Sequence, residues 1–381
     1  MLHLPIYLDN NATTPMDPRV WEVITPFFTT HFGNAASRSH SFGWEAGAAV
    51  EQAREQVARL IYCEANEIIF TSGATEADNL ALKGVFESYS SKGNHIITVK
   101  TEHKAVLDTC VHLEKYGAEI TLLNVNKEGL IDLNELEKSI RPETILIAVM
   151  YANNETGVIQ PIKEISAIAK KHSILFFSDA TQAVGKIPVN VIEDGIDIMA
   201  FSAHKIYGPK GTGALYVRRK NPRVRIAAQT DGGGHEKGMR SGTLNVPGIA
   251  GMGKACELCL AEMQKEGERL TVLRNRLEAG LLKIKDASVN GNLQHRLPNT
   301  SNMSFQNTNS AHILGAVSKN IAISSGSACM SATLQPSFVL KAMGLNDEGA
   351  LSSLRFGLGR FTTEEEIDYA IDYLTHIITG S

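Results

Sequence analysis

Between residues 67 and 217 the chain alternates short apolar runs with helical stretches, which narrows the possible folds more than any other feature. The runs are Ile68 to Phe70, Ile96 to Val99, Ile120 to Leu123, Ile145 to Met150, Ile174 to Phe177, Ile198 to Phe201 and Ala214 to Val217. Several are apolar without a period of two, as expected of parallel strands covered on both faces. Ile162, Ile165 and Ala169 recur at i, i+3, i+7, which predicts a helix with one buried stripe. Val50, Ala53, Val57, Leu60 and Ile61 predict another ahead of the first strand. The expected fold is α/β, a large lobe with a mainly parallel seven-stranded sheet.

After about residue 255 the texture changes. Leu270, Leu273, Leu277, Leu281 and Ile284 predict a long amphipathic helix, followed by short strands near Thr300 to Phe305 and Ile321 to Ser324. A last helix is expected near Glu364 to Ile378. The reading is a large domain over 16–254 and a smaller α+β domain over 1–15 and 255–381. A chain of 381 residues exceeds a single core, so two lobes around one site fit.

Bulk composition excludes several classes. The apolar fraction of 43% and charged fraction of 20% are those of a globular protein. A formal charge of −4 offers no general attraction to nucleic acid or an anionic membrane. The basic cluster Arg218-Arg219-Lys220 with Arg223 and Arg225 reads first as a solvated loop and second as a docking patch for an acidic partner. No apolar run reaches the roughly 18 residues of a membrane span, and the start resembles no leader. Five scattered cysteines make no disulfide framework, so a cytoplasmic protein is expected.

The polar residues gather at strand ends, where open α/β sheets bind ligands. Thr71-Ser72-Gly73-Ala74-Thr75-Glu76 follows a strand and opens a helix, leaving backbone N–H groups for a phosphate. Asp179 ends another strand, where a buried carboxylate needs a cationic or donor partner. Lys205 ends a third, between a hydroxyl and an imidazole in Ser202-Ala203-His204-Lys205, a setting that favours imine chemistry. Each alone is more often structural. Together they supply what pyridoxal 5'-phosphate (PLP) requires of a protein: a carboxylate for its pyridinium, an amine for its aldehyde and a phosphate cradle. Gly208-Pro209-Lys210-Gly211-Thr212-Gly213 is glycine-rich, but its lysine precedes glycine, so the P-loop pattern fails, and no G-x-G-x-x-G follows a strand.

The whole chain resembles the group I cysteine desulfurases, the NifS/IscS class of PLP enzymes of fold type I. The segments that carry the likeness include YLDNNATTP at 7–15, TSGATEADN at 71–79, KTEHKAVLDTC at 100–110 and NNETG at 153–157. They continue with DATQAVGK at 179–186, SAHKIYGPKG at 202–211, GGGHEKGMRSGT at 232–243, SSGSACMS at 324–331 and RFGLGRF at 355–361. The resemblance implies that L-cysteine becomes L-alanine while its sulfur passes to Cys329 as a persulfide. It makes Lys205 the cofactor lysine that then moves the Cα proton, Asp179 the partner of the pyridinium and Gln182 the donor to the phenolic oxygen. His103 would stack on the ring and assist proton transfer. Ala74, Thr75, Ser202 and His204 would hold the phosphate, with Thr243 reaching it from the neighbouring subunit of a homodimer. Asn154 and Arg355 would grip the substrate carboxylate.

Cys329 sits among small polar residues, Ser324-Ser325-Gly326-Ser327-Ala328-Cys329-Met330-Ser331, unlike a core thiol. Locally it reads equally as an incidental loop thiol; the resemblance makes it the nucleophile. Cys256 and Cys259 form C-x-x-C, yet Met252, Cys256, Cys259 and Met263 share one helical stripe, which reads as core packing. Cys63 and Cys110 read likewise, and no metal is assigned.

Ala35 replaces a proline common in the class, and Asn309-Ser310-Ala311-His312 replaces a segment usually containing Gly-Glu-Ser. The chain stops at Ser381, whereas many members carry a further stretch used to dock a scaffold protein, so an iron–sulfur scaffold or a thiolation carrier are both open as sulfur acceptors. Rival readings are a selenocysteine lyase, a PLP β-lyase or aminotransferase, and a non-catalytic scaffold. The last predicts loss of Lys205, Asp179 or Cys329, and all three are present.

Overall fold

The computed structural model describes residues 2–325 and 335–380. The Cys329 assignment therefore lies outside the described residues. A two-residue strand, β1 (Ile6–Tyr7), precedes the large sheet. That sheet is built from β2 (Ile68–Thr71), β3 (His95–Val99), β4 (Glu119–Leu123), β5 (Thr144–Ala148), β6 (Leu175–Asp179), β7 (Ile198–Ser202) and β8 (Gly213–Val217). Their spatial order is β2-β8-β7-β6-β5-β3-β4, and only β8 runs antiparallel to its neighbours. The apolar runs expected as strands are these seven. Six are buried along their whole length, because helices cover both faces, whereas the edge strand β4 is largely open.

Chain order leaves β3 in one direction, toward β4, and β5 in the other, toward β6 and β7. The carboxyl ends of β3 and β5 therefore flank a switch point, the place where such sheets form a crevice. The buried Glu102 ties the two ends together, its Oε1 accepting the Met150 N–H at 2.7 Å.

The smaller lobe has an antiparallel sheet of β9 (Ala287–Val289), β10 (Thr300–Phe305) and β12 (Ser353–Gly357), in the order β12-β10-β9. Beside it β1 pairs in parallel with β11 (Ile321–Ala322), so the amino-terminal segment is laid against the carboxyl-terminal third of the chain. Leu270, Leu273, Leu277 and Leu281 pack with Phe305, Phe356 and Leu374 in this lobe's core.

One helix of 36 residues, Val246–Leu281, runs continuously past residue 254, where the sequence reading drew its boundary. Its first half, including Met252, Cys256 and Cys259, packs into the large-lobe core, and its second half packs into the smaller one. The leucine periodicity from Leu270 onward marks only the second half; in the first, buried residues lie on most sides of the helix, beyond the stripe of Met252, Cys256 and Cys259.

Candidate active site

A cleft of about 660 Å³ opens at the carboxyl ends of β3, β5, β6 and β7 and is closed on its other side by the smaller lobe. It is lined by Ala74, Thr75, His103, Asn154, Asp179, Gln182, Ser202, His204, Lys205 and Arg355. Thr243, the remaining described candidate, is exposed and does not line it.

Asp179 is the last residue of β6 and is 6% exposed. Its Oδ1 accepts the Thr181 N–H at 2.9 Å. Two further carboxyls stand close to it. Asp78 is fully buried, and neither of its oxygens has a hydrogen-bond partner among the described residues. Burial, and then the charges of Asp179 and Glu102, hold the Asp78 carboxyl well above the ordinary range. Burial raises Glu102 too, against the Met150 N–H that favours its anion. In both, burial disfavours the charged form.

Lys205 closes the turn Ala203–Lys205 after β7, and its Nζ donates to the carbonyls of Asn11 and Ala12 at 2.5 and 2.6 Å. The adjacent His204 has Nδ1 3.1 Å from the Thr13 hydroxyl. Burial first, then Lys205 and Lys210, push its pKa down to about 4, so it is neutral under ordinary conditions.

The phosphate cradle depends on close backbone approach. Gly73, at φ +155, precedes the helix Ala74–Tyr89, and a Cβ on the facing Gly213 would lie 2.6 Å from Gly73 Cα. A side chain there would push β8 away from the cradle. The first-turn amides of Ala74, Thr75 and Glu76 have no intrahelical acceptor, and all three residues line the cleft. Glu76 accepts the Ser72 N–H at 2.8 Å and Arg240 Nε at 2.7 Å, which fastens the 232–243 loop to the cradle. The loop has a second anchor: Glu236, buried, takes both Arg54 terminal nitrogens and the Phe70 N–H, each at 2.8 Å.

His103 caps the helix Lys104–Glu114, its Nδ1 accepting the Ala105 N–H at 3.2 Å. That bond places the ring proton on Nε2. From the smaller lobe, Arg355 on β12 donates to Asp9 Oδ1 at 2.8 Å and to the Asn154 carbonyl at 3.1 Å. Its buried Nε has no partner among the described residues.

These groups fit PLP by their chemistry: a buried carboxylate with a single backbone donor, an amine at the cleft wall, and free helix amides beside a serine and a neutral histidine. Sequence reasoning missed Asp9, Asn11 and Ala12 as parts of this site. They lie in the quoted segment 7–15, but nothing local to it reveals that β1 pairs with β11 and carries them to Lys205 and Arg355.

Comparison with known proteins gives consistent matches. The aminotransferase class-V family matches residues 6–370. Cysteine desulfurase IscS of Anaeromyxobacter sp. (strain K) is 57% identical over 371 residues, 97% of this chain and 91% of that protein. A NifS-like protein of known structure superposes with a TM-score of 0.92 at 38% identity, covering 99% of this chain and 100% of its own. The structure of SspA in complex with cysteine superposes with a TM-score of 0.82 at 36% identity, covering 94% of this chain and 100% of its own.

Proposed function

The chain belongs to the class-V aminotransferase family and, within it, to the PLP-dependent cysteine desulfurases, and we propose that its cleft takes sulfur from L-cysteine with the residues assembled around Lys205. The observation that carries this reading is the meeting of Asp179, Lys205 and Arg355 at one cleft, from three different elements and two lobes. When bound, PLP supplies an electron sink for the charge left at the substrate Cα. Asp179 would hold the pyridinium proton, beside Asp78 and Glu102, whose burial disfavours their charged forms. The amides of Ala74 and Thr75, the Thr75 and Ser202 hydroxyls and the neutral His204 hold the phosphate. Thr243 of the partner subunit completes that set in a homodimer, a role supported by its exposure and by the two anchors of its loop.

Lys205 Nζ carries the cofactor and then moves the Cα proton. His103, with its proton on Nε2, would stack on the ring and assist the proton transfer. Asn154 and Arg355 receive the substrate carboxylate, and Asp9 holds the guanidinium plane ready for it. In the net reaction the Cβ–Sγ bond of cysteine breaks and an S–S bond to Cys329 forms. The thiol proton ends on the carbon fragment, which leaves as alanine, and Cys329 is left as a persulfide. A sulfur-acceptor protein then relieves Cys329 of its sulfane sulfur. Such thiol chemistry suits the reducing cytoplasm. Among the described residues no helix is long and apolar enough to cross a membrane.

Alanine and sulfide formed from L-cysteine with a reductant test this reading. Cys329→Ala at matched PLP content is expected to make almost none of either. A variant as fast as the unaltered chain would remove Cys329 as acceptor and favour direct lyase chemistry.

A further inference from the structure

Lys186 lies behind the cleft. In the turn after β6, Ala183 and Val184 donate to the Ala180 carbonyl, and Lys186 and Ile187 donate to the Ala183 carbonyl, so the chain coils back and sets residues 182 and 186 side by side. Gly185 makes the coil possible: it adopts φ +75, and a Cβ there would lie 2.6 Å from Ile206 Cγ2 and 2.9 Å from Cys259 Sγ. Lys186 Nζ donates to Gln182 Oε1 at 2.7 Å, its only side-chain hydrogen bond among the described residues. Gln182 Nε2 in turn donates to the Asn11 carbonyl at 3.0 Å, the same carbonyl that accepts Lys205 Nζ.

An ammonium has donors and no acceptor, so it binds only the oxygen end of an amide. We propose that Lys186 is a positioning residue: by occupying Gln182 Oε1 it fixes the amide so that the nitrogen end, never the oxygen, is turned to the cleft. Without it the amide can turn over and present an acceptor where a donor is needed, and two acceptors facing each other repel. The inference rests on the reading of Gln182 as the donor to the cofactor's phenolic oxygen. A donor there stabilises the phenolate and lowers the pH at which the cofactor's visible absorption band changes. Lys186 is itself largely buried; that burial, then Lys205 and Arg355, lower its pKa to about 7, so the ammonium that fixes the amide prevails below that pH.

The test is a pH titration of the visible band of the PLP-loaded protein, with no substrate present. Lys186→Met is expected to raise the midpoint by about one pH unit, the size of one charge-assisted hydrogen bond, and Lys186→Arg to restore it. Gln182→Leu is expected to give the same rise, and adding Lys186→Met to it to give no more, because both act through one amide. Lys186→Ala serves as the second variant should methionine not fit behind Gly185. An unchanged midpoint in the Lys186 variants overturns the inference. So does an additive double variant, which would mean that Lys186 acts by its charge and not through Gln182. An unaltered chain that shows no visible band with PLP would instead overturn the reading of the site itself.

Discussion

The two walls of the cleft are made differently. The large-lobe wall is a row of strand ends: Asp179 is the last of the five buried residues of β6, and Lys205 follows the five of buried β7. Each side chain is placed by ladder hydrogen bonds to neighbouring strands and can be located from its own local sequence. The smaller-lobe wall is a set of long-range contacts. Arg355 meets Asp9 and Asn154, while Asn11 donates to Thr300 Oγ1 and to the Asn154 carbonyl. Three distant parts of the chain must come together before that wall exists. In the proposed reading the large-lobe wall would hold the cofactor and the assembled wall the substrate carboxylate. Changes on the first wall should therefore strike turnover and cofactor retention, and changes on the second should strike KM.

The largest effect belongs to Lys205. Lys205→Ala should lower alanine formation on the order of a thousandfold or more, with an unchanged unfolding midpoint in urea. Equal loss of fold and activity would break the contrast. Asp179→Ala should cost about a hundredfold in kcat and loosen PLP, read as faster loss of the visible band on dialysis. Asp78→Asn should stay within about threefold, because an amide keeps the shape of a carboxyl whose charged form burial disfavours. A large loss in Asp78→Asn would mean that its charge matters.

On the assembled wall, Arg355→Lys should raise KM for L-cysteine by about ten- to a hundredfold and change kcat little, since a lysine cannot make the bidentate contact. Asp9→Asn should raise KM by only a few-fold, because Asp9 orients the guanidinium without touching substrate. If either acted mainly on kcat, the division of labour between the walls would fail.

The smallest effect is on stability. The His204 pKa falls from 6.5 to about 4 on folding, chiefly through burial. Above pH 6.5 both states are neutral and the histidine contributes nothing to pH dependence. Between 6.5 and 4 only the unfolded chain takes up the proton, so stability falls as pH falls. His204→Gln should flatten that decline by about 1–2 kcal/mol between pH 7 and 4.5, measured by urea unfolding. An identical decline would place the cause elsewhere.

The same contrast explains what the sequence made legible. Six strands of the large sheet could be read from apolar runs because full burial on two faces writes hydrophobicity into every position, and β4 was read from its own apolar residues although it is largely open. Asp179, Lys205 and the Thr71 to Glu76 turn stood out because polar residues immediately follow those runs. The arginine at 355 and the asparagine at 154 were identified only by resemblance; no periodicity connects β12 to the end of β5. Asp9, Asn11 and Ala12 escaped altogether, since their role depends on the parallel pairing of β1 with β11 across most of the chain. Asp78 escaped for another reason. It lies inside the helix Ala74–Tyr89, where an acidic residue ordinarily faces solvent, and only the packed structure reveals that it is buried without a hydrogen-bond partner among the described residues.

The assignment of Lys205 as the residue that carries the cofactor is tested most directly by chemical trapping. The PLP-loaded protein is reduced with borohydride, digested, and searched by mass spectrometry for the pyridoxyl-bearing peptide. The account predicts one labelled residue, Lys205, and loss of the label in Lys205→Ala. A label on Lys186 or Lys210, or its persistence in Lys205→Ala, would contradict it.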